Sequence, residues 1–114
     1  MLEVYWRDDI DRGPAASLYI HDEEVFRFDC FDGDQGHCHM NLRQTRGHRW
    51  YYPEGCVQEH IDRSVFELKT NLPFCLRTNQ NKEVQATKVD YDKLEQAAKQ
   101  MRGKLLEFAD ELGF

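Results

Sequence analysis

Two histidines stand one residue apart in "HCHMNL", at His37 and His39, and the strand-like run before them, "VFRFDCF", carries an aspartate at Asp29. Two imidazoles and a carboxylate are a common coordination set for zinc, iron or manganese. H-x-H on a strand points both rings to one side. Folding the two runs around residues 32–36 sets Phe31 opposite His37, Asp29 opposite His39 and Arg27 opposite Asn41, while Cys30 meets Cys38, Phe28 meets Met40 and Phe26 meets Leu42. One side of this hairpin is apolar and the other polar, and a one-residue slip would mix the two sets. The pattern therefore predicts Asp29, His37 and His39 together on the outer, polar face, a candidate site for a divalent transition metal such as zinc. Arg27 and Asn41 extend the row, and His48, at the start of the next strand, is a further candidate ligand.

The same side chains suit a metal-free, ribonuclease-like reaction. An imidazole titrates near neutrality, Asp29 would fix its tautomer, and Arg27 would stabilise a pentavalent phosphate. A third reading is a face that binds a ligand or is merely wet, since alternating polar residues are what a solvated strand face requires. The cupin arrangement also places H-x-H on a strand, but it follows with a glutamate, and residues 40–45 hold no carboxylate. Neither a Walker loop, a G-x-G-x-x-G fingerprint nor a G-x-S-x-G elbow is present, so nucleotide-dependent chemistry and triad hydrolysis have no support. His60 reads as a boundary residue beside an apolar helical stripe and His21 as a turn residue. Trp6, Trp50, Tyr51 and Tyr52 read as core and sheet-edge aromatics.

The elements that must position these residues fall into two halves. "LEVYW", "SLYI" and "VFRFDCF" alternate with a period of two, and "HCHMNL" and "HRWYY" continue the series across the polar segment "RQTRG". This predicts a five-stranded antiparallel meander over 1–54. Its turns are "DDIDRGP", "HDEE" and "DGDQG", with Gly33 and Gly36 able to take positive φ. Val57, Ile61, Val65, Leu68 and Leu72 then recur at helical spacing until Pro73, where the helix is expected to stop; "RTNQNKEVQATK" reads as a loop or an exposed extended segment. Asp90 caps a last helix bearing Tyr91, Leu94, Ala98, Met101, Leu105, Phe108 and Leu112. The expected fold is α+β, one domain over 1–114, with the two helices of 55–114 packed on one sheet face.

That last stripe is long: a helix of roughly 34 Å against a sheet about 24 Å across. Either the first helix covers the overhang or a second copy does, giving a homodimer through the C-terminal helix, with Leu106 and Phe114 as support.

A hydrophobic fraction of 40% argues for a folded core, and the net charge of −6 works against nucleic acid as a partner. No apolar run approaches the roughly 20 residues that span a bilayer, and the acidic N-terminal stretch does not read as a signal peptide. The expected location is the cytoplasm. There Cys30, Cys38, Cys56 and Cys75, which form no C-x-x-C pair, are expected as buried thiols.

With "RFDCF", then "HCH", then "YYPEG" before a helix, residues of about 15–75 resemble a family of small uncharacterised microbial domains. The resemblance implies a natural domain and transfers no activity. A fainter similarity is to the toxin halves of toxin-antitoxin pairs, which also place histidines in a meander before a helix. The reading that emerges is a small binding or interaction domain with a candidate His/Asp ligand or metal site, open to a protein partner. The alternative is an enzyme using the same face, either metal-dependent or a metal-free ribonuclease-like toxin.

Overall fold

The computed structural model describes residues 1–8 and 12–114. The chain forms β1 (Leu2–Asp8), β2 (Arg12–Ile20), β3 (Glu23–Asp29), β4 (His37–Met40), α1 (Leu42–Thr45), β5 (Trp50–Tyr51), α2 (Val57–Thr78), α3 (Lys82–Gln85) and α4 (Tyr91–Glu111). All strand pairs are antiparallel and lie in the order β1-β2-β3-β4-β5, the expected meander of an α+β fold. Part of the anticipated turn "DDIDRGP", residues 9–11, lies outside the described residues. His21 and Asp22 form the β2–β3 turn with φ of 48° and 62°. Positive φ at both central residues matches the twist of the flanking strands in a two-residue hairpin.

Strand alternation sends Ala16, Phe26, Phe28, Cys30 and Cys38 inward, all essentially without solvent contact. They meet Ile61, Leu68 and Cys75 of α2 and Met101 and Leu105 of α4 in one core. Phe26 and Phe28 stack with centroids 5.0 Å apart.

Four expectations are corrected. First, α2 does not stop at Pro73 but runs through it to Thr78. An interior proline costs a helix about 3 kcal/mol, but the apolar stripe continues through Leu72, Cys75 and Leu76, all buried, and their packing offsets that cost. Second, the expected loop after it holds the short α3, which buries Val84 and is capped by Asn81. Third, "HRWYY" yields only two strand residues, and "RQTRG" is not a plain linker. Asn41, Arg46 and Gly47 take φ of 47°, 55° and 71°, turning the chain through α1 and back to β4. Fourth, Cys56 is exposed at the start of α2, whereas Cys30, Cys38 and Cys75 are buried.

Most of the α4 stripe packs within the chain, while Tyr91 at its start is exposed. Asp90 accepts from the N–H groups of Asp92 and Lys93 at 3.1 and 3.2 Å, and Leu94, Ala98, Met101, Leu105 and Ala109 are buried against α2, β1 and β2. Leu106 and Phe114 pack on the same core, and exposed Trp6 rests 5.1 Å from Phe108. Among the described residues, no helix is long and apolar enough to cross a membrane.

Burial separates the thiols chemically. It pushes Cys30, Cys38 and Cys75 up to about 12. Because the thiolate is the reactive form, a disulfide reagent at pH 8 is expected to label one thiol, Cys56, rapidly and the other three only after unfolding. A folded value above the unfolded one gives a contribution fully present below the ordinary thiol value of about 8.5 and lost as pH rises toward the folded value. Alkaline unfolding that begins above about pH 9 in equilibrium CD is the matching observation.

Candidate metal centre

On the outer face, the registers of neighbouring strands join into one row across the sheet: Tyr5, Ala15, Asp29, His37 and Tyr51. The adjacent row holds Glu3, Ser17, Arg27 and His39. Asp29 thus pairs with His37 and Arg27 with His39, a register shifted by two residues from the expected one. A two-residue slip preserves which face each side chain takes, so Asp29, His37 and His39 still project together.

They are close. Asp29 Oδ2 lies 3.0 Å from His37 Nε2 and 3.2 Å from His39 Nε2. One ligand atom from each of the three falls within 4.8 Å of the others. The expectation of an open, wet face is overturned: side-chain exposures are 2% for Asp29, 3% for His37 and 6% for His39. The long helices α2 and α4 pack on the other sheet face and do not bury them. Phe31 and Tyr51 flank His37 at ring-centroid distances of 5.7 and 5.4 Å, His37 and His39 meet edge to face at 4.9 Å, and the chain from α1 to β5 returns beside β4.

The other ring nitrogens face backbone oxygens. His37 Nδ1 donates to Gln35 O at 2.8 Å, and His39 Nδ1 is shared between Gly47 O at 3.0 Å and His48 O at 3.1 Å. A carbonyl only accepts, so each Nδ1 carries a hydrogen. A neutral ring then presents its Nε2 lone pair to the Asp29 carboxylate, lone pair against lone pair. Asp29 Oδ1 is buried and has no hydrogen-bond partner among the described residues. Burial by itself raises the Asp29 carboxyl, and with Nε2 protonated, hydrogen bonding and charge from the two histidines more than reverse this, holding it below the ordinary carboxylate range.

Two arrangements resolve the facing lone pairs. Two imidazolium ions around one carboxylate would bury a net positive charge, which is costly. A cation among the two Nε2 atoms and the carboxylate uses the lone pairs as they stand, and Nδ1–H donated to a carbonyl is the usual outer support of a metal-bound histidine. Zinc bonds of about 2.0–2.1 Å at tetrahedral angles separate ligand atoms by about 3.3 Å, close to the 3.0 and 3.2 Å of the two carboxylate–imidazole edges, and all three ligand atoms fall within 4.8 Å of one another.

The remaining candidates lie apart from this trio. His48 contributes its backbone oxygen, while its ring is exposed and packs on Trp50 at 4.5 Å. Arg27 is engaged by Glu24 through Nε and Nη2, both at 2.9 Å, and Glu24 also accepts from Ser17 at 2.8 Å. Asn41 does not extend the polar row. Its positive φ ends the alternation, and its amide donates to Cys75 O at 3.0 Å and accepts from Asn79 at 2.9 Å.

Two supporting features escaped the residue pattern. The oxygens of Gln35, Gly47 and His48 are backbone groups, which residue type does not reveal. Gly36, just before His37, has no positive φ; a Cβ there would sit 2.2 Å from His60 Nδ1. His60 is a core residue rather than a boundary one, with Nδ1 2.5 Å from Phe31 O and Nε2 3.0 Å from Pro53 O.

The family described as "Domain of unknown function (DUF7700)" matches residues 2–105 of this sequence. No curated protein and no solved structure matches it.

Proposed function

The chain belongs to that family of domains of unknown function, and from this premise we propose that it is a metal-binding domain in which Asp29, His37 and His39 hold one divalent transition ion, with zinc the best fit. The observation that carries the reading is that both Nδ1 atoms are spent on backbone oxygens while both Nε2 atoms converge on one carboxylate oxygen. The ion would link β3 to β4. Because His39 is also tied to Gly47 and His48, it would fix the segment that follows as well. Near-complete burial favours an ion that holds structure over one that turns over a substrate, and it weighs against the ribonuclease-like alternative, for which Arg27 is also already engaged by Glu24. The four free thiols fit a reducing compartment such as the cytoplasm.

Calorimetric titration of chelator-treated protein lacking a histidine tag tests this. One equivalent of zinc is expected to bind, and at a free concentration 100 times Kd it should stabilise the fold by about 2.7 kcal/mol. His37→Ala and His39→Ala should each abolish the stoichiometric binding while CD confirms that they fold. Absence of saturable zinc binding by the unaltered chain would reject the proposal, as would full retention in both variants.

A further inference from the structure

On the helix-facing side of the sheet, away from Asp29 and the histidines, the start of β1, the end of β2, the second half of α2 and the first turns of α4 line an open-sided cavity of about 480 Å³. Its wall is aliphatic, formed chiefly by Leu18, Ile20, Leu68, Leu72, Leu76 and Leu94, and no aromatic ring among the described residues lines it. A cavity of this size, mostly apolar with a few polar groups at one side, is the usual form of a small-molecule site.

The polar side is specific in sign. Lys88 and Lys93 line it, and neither ammonium group makes an ion pair among the described residues. Asp90 is the only acid in the lining among the described residues, and its Oδ1 accepts from the N–H groups of Asp92 and Lys93 at the helix start. In a chain of net charge −6, two unmatched ammonium groups beside an aliphatic cavity complement an anion with an alkyl tail. We propose that this cavity binds a single-chain fatty acid, its tail against the leucines and its carboxylate at Lys88 and Lys93. A flat ring would find nothing to stack on, and a nucleobase would meet a chiefly aliphatic wall. The volume suits one flexible chain rather than the paired chains of a bilayer lipid. This inference is independent of the metal centre, which lies on the opposite sheet face.

Calorimetry with octanoate, decanoate and dodecanoate below their micellar concentrations tests it on the unaltered chain. Each added methylene should tighten binding about fourfold until the tail outgrows the cavity. Dodecyltrimethylammonium should bind at least about tenfold more weakly than dodecanoate, and Lys88→Glu with Lys93→Glu should weaken dodecanoate by about tenfold. Ala97→Trp, which fills the lining, should abolish binding while CD and thermal melting show a folded chain. No saturable binding of dodecanoate, no dependence on chain length, or equal binding of the cationic surfactant would each overturn the proposal. So would light scattering that shows two copies sealing the cavity and excluding dodecanoate.

Discussion

Asp29→Ala is expected to destabilise the metal-free domain by about 3–5 kcal/mol where protons on Nε2 pair the histidines with the carboxylate, the cost of removing one partner from a buried charged pair. The substitution leaves two sealed histidine nitrogens, Nε2 of His37 and of His39, with nothing to face. Domains of this kind have about 5–15 kcal/mol in total, so the melting temperature should fall by about 10–20 °C. Asp29→Asn separates the two descriptions of the histidines. An amide at position 29 can donate to a neutral Nε2, so if the rings are neutral, Asn should cost far less than Ala in chelator, while both variants lose zinc binding. Denaturant titration of the three proteins with and without zinc reads both quantities. An Asn variant as unstable as the Ala variant would mean that the rings are imidazolium ions in the metal-free chain.

Gly36→Ala is expected to cost about 3–5 kcal/mol as well, for a different reason. The new methyl group would meet His60 Nδ1 at 2.2 Å and Cε1 at 2.6 Å. No real Cβ tolerates such contacts, so the buried ring must move. Its links to Phe31 O and Pro53 O then break, and each buried polar group left without a partner costs about 1–3 kcal/mol. Gly33→Ala is the control. Gly33 has φ of 66° but nothing within 4 Å of the added carbon, so its cost is limited to backbone strain, about 1 kcal/mol. Combining Gly36→Ala with His60→Ala should cost less than the sum of the two, since the methyl group then enters space the ring has left. Equal costs for Gly33→Ala and Gly36→Ala in urea melts would show that the ring yields freely.

The two glycines also mark how far residue types carry. In "DGDQG" both read as turn glycines free to take positive φ, and only Gly33 does so; the demand on Gly36 comes from His60, which arrives from α2 more than twenty positions later. The meander and the shared face of Asp29, His37 and His39 were legible because strand alternation has a period of two. The same period hid the register: pairing Asp29 with His37 instead of His39 leaves every side chain on its expected face. Burial of the histidines was illegible for another reason. What encloses them is Phe31, Tyr51 and a polar segment turned back by left-handed residues, and "RQTRG" carries no apolar signature of a cover. Pro73 misled because a local rule for ending helices met an apolar stripe whose packing outweighs it.

The return of residues 42–51 beside β4 has a kinetic consequence. An ion held as proposed by Asp29, His37 and His39 would reach solvent only when that segment detaches, since His39 is tied to it through Gly47 and His48. Exchange would therefore run at the pace of a local unfolding step and saturate with respect to any scavenger in solution. Retention time and equilibrium affinity become separate properties, the first set by a loop that supplies no side-chain ligand.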